Sequence, residues 1–485
     1  MLSFRFVLVF FGLASAFPTI DPASEKHSEI KRQLGLPINS LSLPGSLIPP
    51  VPGLTELINN VAPPLPILQI PTPPLPNPGY VGSNIRPRKF GFFWTCAGDN
   101  KHADFLASFS LDDDTFGTLL RVVEVPSSGN NPHHSGVSTD GKVLWGGGLL
   151  SLLKTQDTGF YFDVSDPYEP KFWKSDRALL ASIADEIVAK PDGGFFITYM
   201  GSLVGTSPGR LIETDASYNI IHEWPEDLDG TLNILGEQFS PHGLSIDFNR
   251  DLMLTSDFVI PVTVLKPSLT GIVKANTLRL WNLATRKIIN TITIPDGGGI
   301  QDVKFIPGNP EAAAIATAVH LGQVWIIYPY RTDEKGKPGL TRMLYDFGMP
   351  DTTAVYSTLS KDGRFAYFTF TTANHVAALD ITNLDHPIRL DNPWEKQPLI
   401  GPHYLKLTPD ERALVVTDYF VQTNGLGIID TPADFKVQYI DILPNGGLHF
   451  NRTIDFQSIF PQYGGAKPHS SVIFDLSDPW HPRWY

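Results

Sequence analysis

Six tight turns divide this chain at a nearly constant interval. They centre on Asp140, Asp192, Asn249, Asn309, Asp362 and Asp410, with steps of 52, 57, 60, 53 and 48 residues. Short apolar runs flank each turn, as in Gly136-Val137-Ser138-Thr139-Asp140-Gly141-Lys142-Val143-Leu144-Trp145. Apolar strands on both sides of an Asp-Gly pair read as a β-hairpin. Some units carry a second strand that ends in turn chemistry, as in Phe162–Pro167 and Phe474–Pro479. There Asp caps the turn and Pro fixes the next φ. A period near fifty residues with several strands per unit is the pattern of propeller blades. The six hairpins leave Phe90–Leu111 and the segment from His469 to close a further unit. The expected fold is therefore all-β, a seven-bladed β-propeller, with two packed β-sandwiches as the alternative.

The region before the repeats is different. Residues 2–17 combine one early Arg, an apolar run and the small residues Ala14, Ser15 and Ala16, which read as a secretory signal peptide. Twelve prolines between Pro44 and Pro78 rule out helix or central strand there. The expected organisation is a signal peptide over 1–17, a Pro-rich propeptide or extension over 18–85 and a propeller over 86–485. Lys31-Arg32 resembles a dibasic processing site, and Asn451-Arg452-Thr453 is a glycosylation sequon, so a secreted glycoprotein is expected. No later segment approaches about 20 consecutive apolar residues, so no membrane partner is expected. A formal charge of −13 argues against nucleic acid, whose phosphates need clustered Lys and Arg. The single cysteine, Cys96, excludes an intrachain disulfide and reads as buried filler in an apolar strand.

Histidine is where chemistry enters. His133, His242 and His403 each follow a proline and each precede their hairpin turn by seven residues; a fourth Pro-His pair places His469 at the last strand. The same count in the other units gives Asp185, Asp302 and Val355. Seven strand residues rise about 23 Å, close to the depth of a blade. These side chains should therefore ring the central channel at the mouth opposite the hairpins. Converging neutral imidazoles suit a transition metal. The metal candidates are His133, its neighbour His134, His242, His403 and His469. Asp185 and Asp302, with Glu186 beside them, are expected to hydrogen-bond the outer ring nitrogens. Trp94, Tyr199, Phe239 and Tyr404 are candidate channel-lining aromatics. A wet polar channel without metal is the competing reading.

The chain also resembles the selenium-binding protein family, which includes methanethiol oxidase. The likeness is carried by Asn131-Pro132-His133-His134-Ser135-Gly136, by Cys96, and by Phe365-Ala366-Tyr367-Phe368 with His375 before Leu379-Asp380-Ile381. Gly447-Leu448, Asn451, Asp455-Phe456 and Pro468-His469 extend it. It implies a seven-bladed propeller and copper-dependent oxidation of a small thiol by O2. The chain departs from the family at Leu180–Glu186, where histidines are missing, at His242 and His403, which the family does not fill with histidine, and in lacking its Cys-x-x-Cys. The function expected is a secreted, monomeric, metal-dependent oxidase using copper, or alternatively iron, on a small organic substrate with O2. An iron or copper dioxygenase cleaving an alkene, a lactonase with a divalent ion, and a non-catalytic binding propeller are the other readings.

Overall fold

The computed structural model describes residues 71–485, apart from residue 78 and residues 227–238, 266–270, 350–351 and 424–426. The signal-like segment, Lys31-Arg32 and most of the Pro-rich stretch lie outside the described residues.

Seven antiparallel sheets form the seven blades. Blade 1 joins both ends of the described chain: Ala466–Asp475 is its long inner strand, followed outward by Lys89–Ala97, Phe105–Ser110 and Leu119–Glu124. Blades 2 to 7 follow in order, with innermost strands Pro132–Val137, Ala181–Ala189, Pro241–Asp247, Ile300–Phe305, Val355–Leu359 and Leu405–Leu407. The turns at Asp140, Asp192, Asn249, Asn309, Asp362 and Asp410 each connect a first strand to a second, as their spacing predicts.

Burial explains why these strands read as they do. Neighbouring blades cover both faces of each second strand, so Val143–Gly148, Phe195–Ser202, Leu252–Asp257, Ala314–Ala318 and Ala413–Thr417 are buried at every position. Such strands need no polar alternation. The outermost strand Lys287–Thr293 has one face in water and alternates accordingly.

Both margins of blade 1 are covered. Residues of the Pro-rich segment run along its outer edge, where the Ser83 amide donates to the Leu119 carbonyl at 2.9 Å and Tyr80 packs edge-on against Phe460 and Tyr463. On the inner side, Arg483–Trp484 pairs with Phe474 and Asp475 and so adds a short strand inside the channel at the turn-side mouth. Trp484 lies against Gly141, where a Cβ would sit 2.8 Å from the indole. Next to this strand, a cavity of 330 Å³ is lined by Gly136, Ile187, Lys406, Trp484 and Tyr485 among others. No described helix is long and apolar enough to cross a membrane.

Candidate metal centre

One irregularity recurs at the channel mouth opposite the turns. Pro132 pairs with Gly148 and Ser135 with Gly146, so His133 and His134 together oppose Gly147 alone. The same bulge sets Asp185 and Glu186 against Thr198, His242 and Gly243 against Ser256, and Gln301 and Asp302 against Thr317. His469 is the extra residue where Trp94 pairs with Ser470 and Thr95 with Pro468. His403 donates its amide to the Thr417 carbonyl while Tyr404 accepts from the Thr417 amide, giving two residues against one again. A bulge leaves its extra residue outside the ladder and re-aims the side chains. That is why His133 and His134, which a regular strand would send to opposite faces, both enter the cluster.

The five histidines come together with Asp185. One ligand atom from each of His133, His134, His403 and His469 lies within 4.8 Å of the others, and His133, Asp185 and His242 form a second such set. Ring centroids are 4.0 Å apart for His133 and His469, 4.7 Å for His403 and His469, and 5.4 Å for His134 and His242. An ion bonded at about 2.0–2.1 Å to four tetrahedral nitrogens sets them about 3.4 Å apart, so modest closure of the rings suffices.

All five rings are buried, and eight of their nitrogens have no hydrogen-bond partner: both of His133, His134 and His403, Nδ1 of His242 and Nε2 of His469. Each unsatisfied buried group costs about 1–3 kcal/mol. Eight of them rival the whole stability of a domain, about 5–15 kcal/mol. A bound ion removes that cost for each nitrogen that ligates it, and the donor set fits one. Burial holds the imidazoles neutral. It pushes His133 down to about 3 against the pull of Glu186, and His242 to about 4 against the pull of Asp185. His134, His403 and His469 are also held well below the ordinary value by burial, reinforced by the neighbouring histidines. The His469 Nδ1 faces the Phe420 carbonyl at 3.1 Å, which fixes its proton there and leaves Nε2 free to ligate.

A polar layer lies on the turn side of the rings. Tyr356 donates its hydroxyl to Glu186, Lys304 bridges Glu186 at 3.1 Å and Asp302 at 2.9 Å, and Tyr356 and Tyr404 stack at 4.9 Å beside His134. Lys304 and Lys406 hold the Glu186 carboxyl below its usual range despite burial. Lys406 itself is pushed down to about 8 by burial, with Lys304 adding to the shift. At the opposite mouth, Phe420 packs on His403 at 4.4 Å and Phe258 on His242 at 5.3 Å. Leu149, Met200, Val319 and Val421 continue that apolar cap.

The expected site residues fall into place unevenly. His133, His134, His242, His403, His469 and Asp185 converge. Glu186 stands 3.8 Å from His134 Nδ1 and spends its hydrogen bonds on Tyr356 and Lys304. Asp302 differs from the expectation that it would orient a histidine. Its oxygens are taken by Ser357, at 2.6 Å from Oγ, and by Lys304. The bulge puts Gln301 in the position facing His242 instead, at 3.4 Å. Of the aromatics, Tyr404 reaches the rings. Trp94 instead donates to the Gly147 carbonyl, Tyr199 meets Thr158, and Phe239 packs on Trp281. In the sixth blade the inner strand has no bulge, and Tyr356 rather than Val355 faces the site. Cys96 is fully buried, its thiol directed at Asn100.

A ring of hydroxyls went unnoticed in the sequence. Thr198 donates to the His242 carbonyl at 2.5 Å, Ser256 to Gln301 at 3.1 Å, Thr317 to Val355 at 3.0 Å and Ser470 to His133 at 2.7 Å; Thr369 and Thr417 donate to His403 and His469. Each hydroxyl ties its blade to the site residue of the next. The signal was present: Ser256, Thr369 and Thr417 stand fourteen residues after His242, Val355 and His403.

No protein-family model matches the chain. Over 267 residues it is 27% identical to a methanethiol oxidase of Ruegeria pomeroyi, a match covering 50% of this chain and 58% of that protein. The likeness thus spans less than two thirds of the relative's length. Among solved structures, a hypothetical selenium-binding protein from Sulfolobus tokodaii superimposes with a TM-score of 0.63 at 16% identity, over 80% of this chain and 94% of that one. The periplasmic gluconolactonase of Pseudomonas aeruginosa gives 0.54 at 13% identity, over 76% and 96%. The chain is a seven-bladed propeller similar in sequence to a methanethiol oxidase and in fold to a selenium-binding protein.

Proposed function

We propose that this protein is a secreted metal-dependent oxidase, with copper as the expected ion and iron as the alternative, acting on a small organic substrate with O2. The observation that carries the reading is the buried cluster of five neutral imidazoles, eight of whose nitrogens lack hydrogen-bond partners. The likeness to a methanethiol oxidase supports it and makes small thiols the first substrates to try. His133, His134, His403 and His469 would hold the ion, with His242 and Asp185 on its flank. When bound, the ion supplies one-electron chemistry toward O2.

The chain's own residues do the rest. Phe258 and Phe420 exclude water from the face away from the tyrosines and favour an uncharged substrate there. Tyr356, Glu186 and Lys304 form a hydrogen-bonded chain that can accept or return a proton beside His134. The histidine-rich donor set disfavours a lactonase, since a hard carbonyl-polarising cation takes mostly oxygen ligands. The test is O2 uptake and peroxide release with a panel of small thiols and apolar alkenes, using metal-loaded and chelator-stripped protein. Turnover of a thiol that requires the ion supports the reading. Absence of ion-dependent O2 uptake on every substrate would overturn it.

A further inference from the structure

His133 is the hinge between two ligand sets, one with His134, His403 and His469 and one with Asp185 and His242. The second set has the composition of a two-histidine, one-carboxylate triad, which leaves positions open on a divalent ion. Its geometry is not that of an ordinary hydrogen-bonded pair. Asp185 Oδ1 lies 3.0 Å from His133 Nε2 and 3.5 Å from His242 Nε2, yet neither contact is aligned along a ring N–H. Asp185 is completely buried, and neither of its oxygens has a well-aligned donor. Gln301 fixes the lone pair of its partner: its Oε1 accepts from the Val355 amide at 2.6 Å, so its Nε2 group faces His242 Nε2, at 3.4 Å. His242 Nε2 therefore carries the lone pair beside Asp185, and an ion bound there takes the place of the long Gln301 contact. A buried carboxyl group and two imidazoles thus converge with no aligned hydrogen bond between them.

We propose that Asp185, His242 and His133 form a second cation site, in which His133 gives Nε2 to this ion and its other ring nitrogen to the ion of the four-histidine set. The inference rests on the reading that the four-histidine set holds an ion. An imidazole that loses its remaining N–H proton to solvent can bridge two cations in this way. The carboxylate offsets part of the added positive charge. Asp185 thereby becomes a ligand rather than an orienting group.

The test is copper content per chain of the full-length protein loaded with Cu(II) and gel-filtered, measured together with its integrated electron paramagnetic resonance signal. Two coppers per chain are expected, with a spin count well below the copper count because the bridged ions couple. Asp185→Ala and His242→Ala should each bind one copper with a full one-spin signal. One copper per wild-type chain would overturn the second site and leave the oxidase reading standing. No copper at all would overturn the reading beneath it. If either variant fails to fold, as judged by circular dichroism, the wild-type copper and spin counts decide alone.

Discussion

Nε2 of His133, on the inner strand of blade 2, stands 3.0 Å from Oδ1 of Asp185 on the inner strand of blade 3. Both residues sit in bulges at the same level of the channel. The bulge is what allows one strand to present two consecutive side chains to the centre. The convergence of these side chains depends on backbone irregularity as much as on residue type.

Lys304 links two buried carboxylates, so its loss should be felt through both. Lys304→Met leaves Glu186 and Asp302 without their cation. Breaking a buried pair costs about 3–5 kcal/mol. The Lys304 side chain is 23% exposed, which argues for the lower end, about 3 kcal/mol. The midpoint of urea unfolding should fall accordingly; an unchanged midpoint would show that water replaces the ammonium at no cost.

The hydroxyl ring should matter to ligand geometry as well as to stability. Thr417→Val keeps the volume and removes the donor to the His469 carbonyl, leaving that buried acceptor unpaired. The expected cost is about 1–3 kcal/mol. Copper release to a competing chelator should also be faster than in the wild type, because His469 is no longer held by blade 7. A stability loss with unchanged release would confine the hydroxyl to a structural role.

Gly243 shares its bulge with His242, and a Cβ there would meet the Asp302 Cα at 2.8 Å and the Gln301 carbonyl at 2.8 Å. Both are backbone of the next blade and cannot rotate away. Gly243→Ala should cost about 1–3 kcal/mol, read as a lower thermal midpoint. A midpoint equal to wild type would mean that blades 4 and 5 part easily.

Acid should destabilise the metal-free protein. The buried histidines have folded-state pKa values below the unfolded 6.5, about 4 for His242 and about 3 for His133. Their stabilising effect is full above 6.5 and is lost as pH falls toward those values, because the unfolded chain takes up protons first. Between pH 7 and 5 each such histidine withdraws about 2 kcal/mol. Asp185 acts in the opposite sense: burial raises it to about 7, so its share of stability is present at low pH and is lost as pH rises through 7. Among the six converging groups, five histidines against one carboxylate leave the sum destabilising in acid; burial also raises Asp176, to about 6, and Asp418 elsewhere in the fold, which offsets part of it. Thermal midpoints of chelator-treated protein at pH 7 and pH 5 check this, and a higher midpoint at pH 5 would contradict it.

The sequence revealed the blades because a hairpin turn needs particular residues and cannot hide. It revealed His133, His242 and His403 because all three keep one distance from those turns. The bulges were not legible. Nothing in Pro132-His133-His134-Ser135 states that two residues oppose Gly147, so His134 looked out of register and Asp302 looked available to a histidine. Gln301, which faces His242, was overlooked for the same reason. The inner strand at Arg483–Trp484 depends on a long-range pairing with Phe474 and Asp475 that no local pattern encodes.

The central claim is that the imidazole cluster holds a transition metal. Elemental analysis of protein purified without chelator, beside a His133→Ala/His403→Ala variant, tests it directly. At least one copper or iron per wild-type chain is expected, and less than about a tenth of that in the folded double variant, since the four-histidine set loses two ligands and the Asp185 set loses the His133 it shares. A wild-type protein free of transition metal, or a double variant that keeps its full complement, would contradict it.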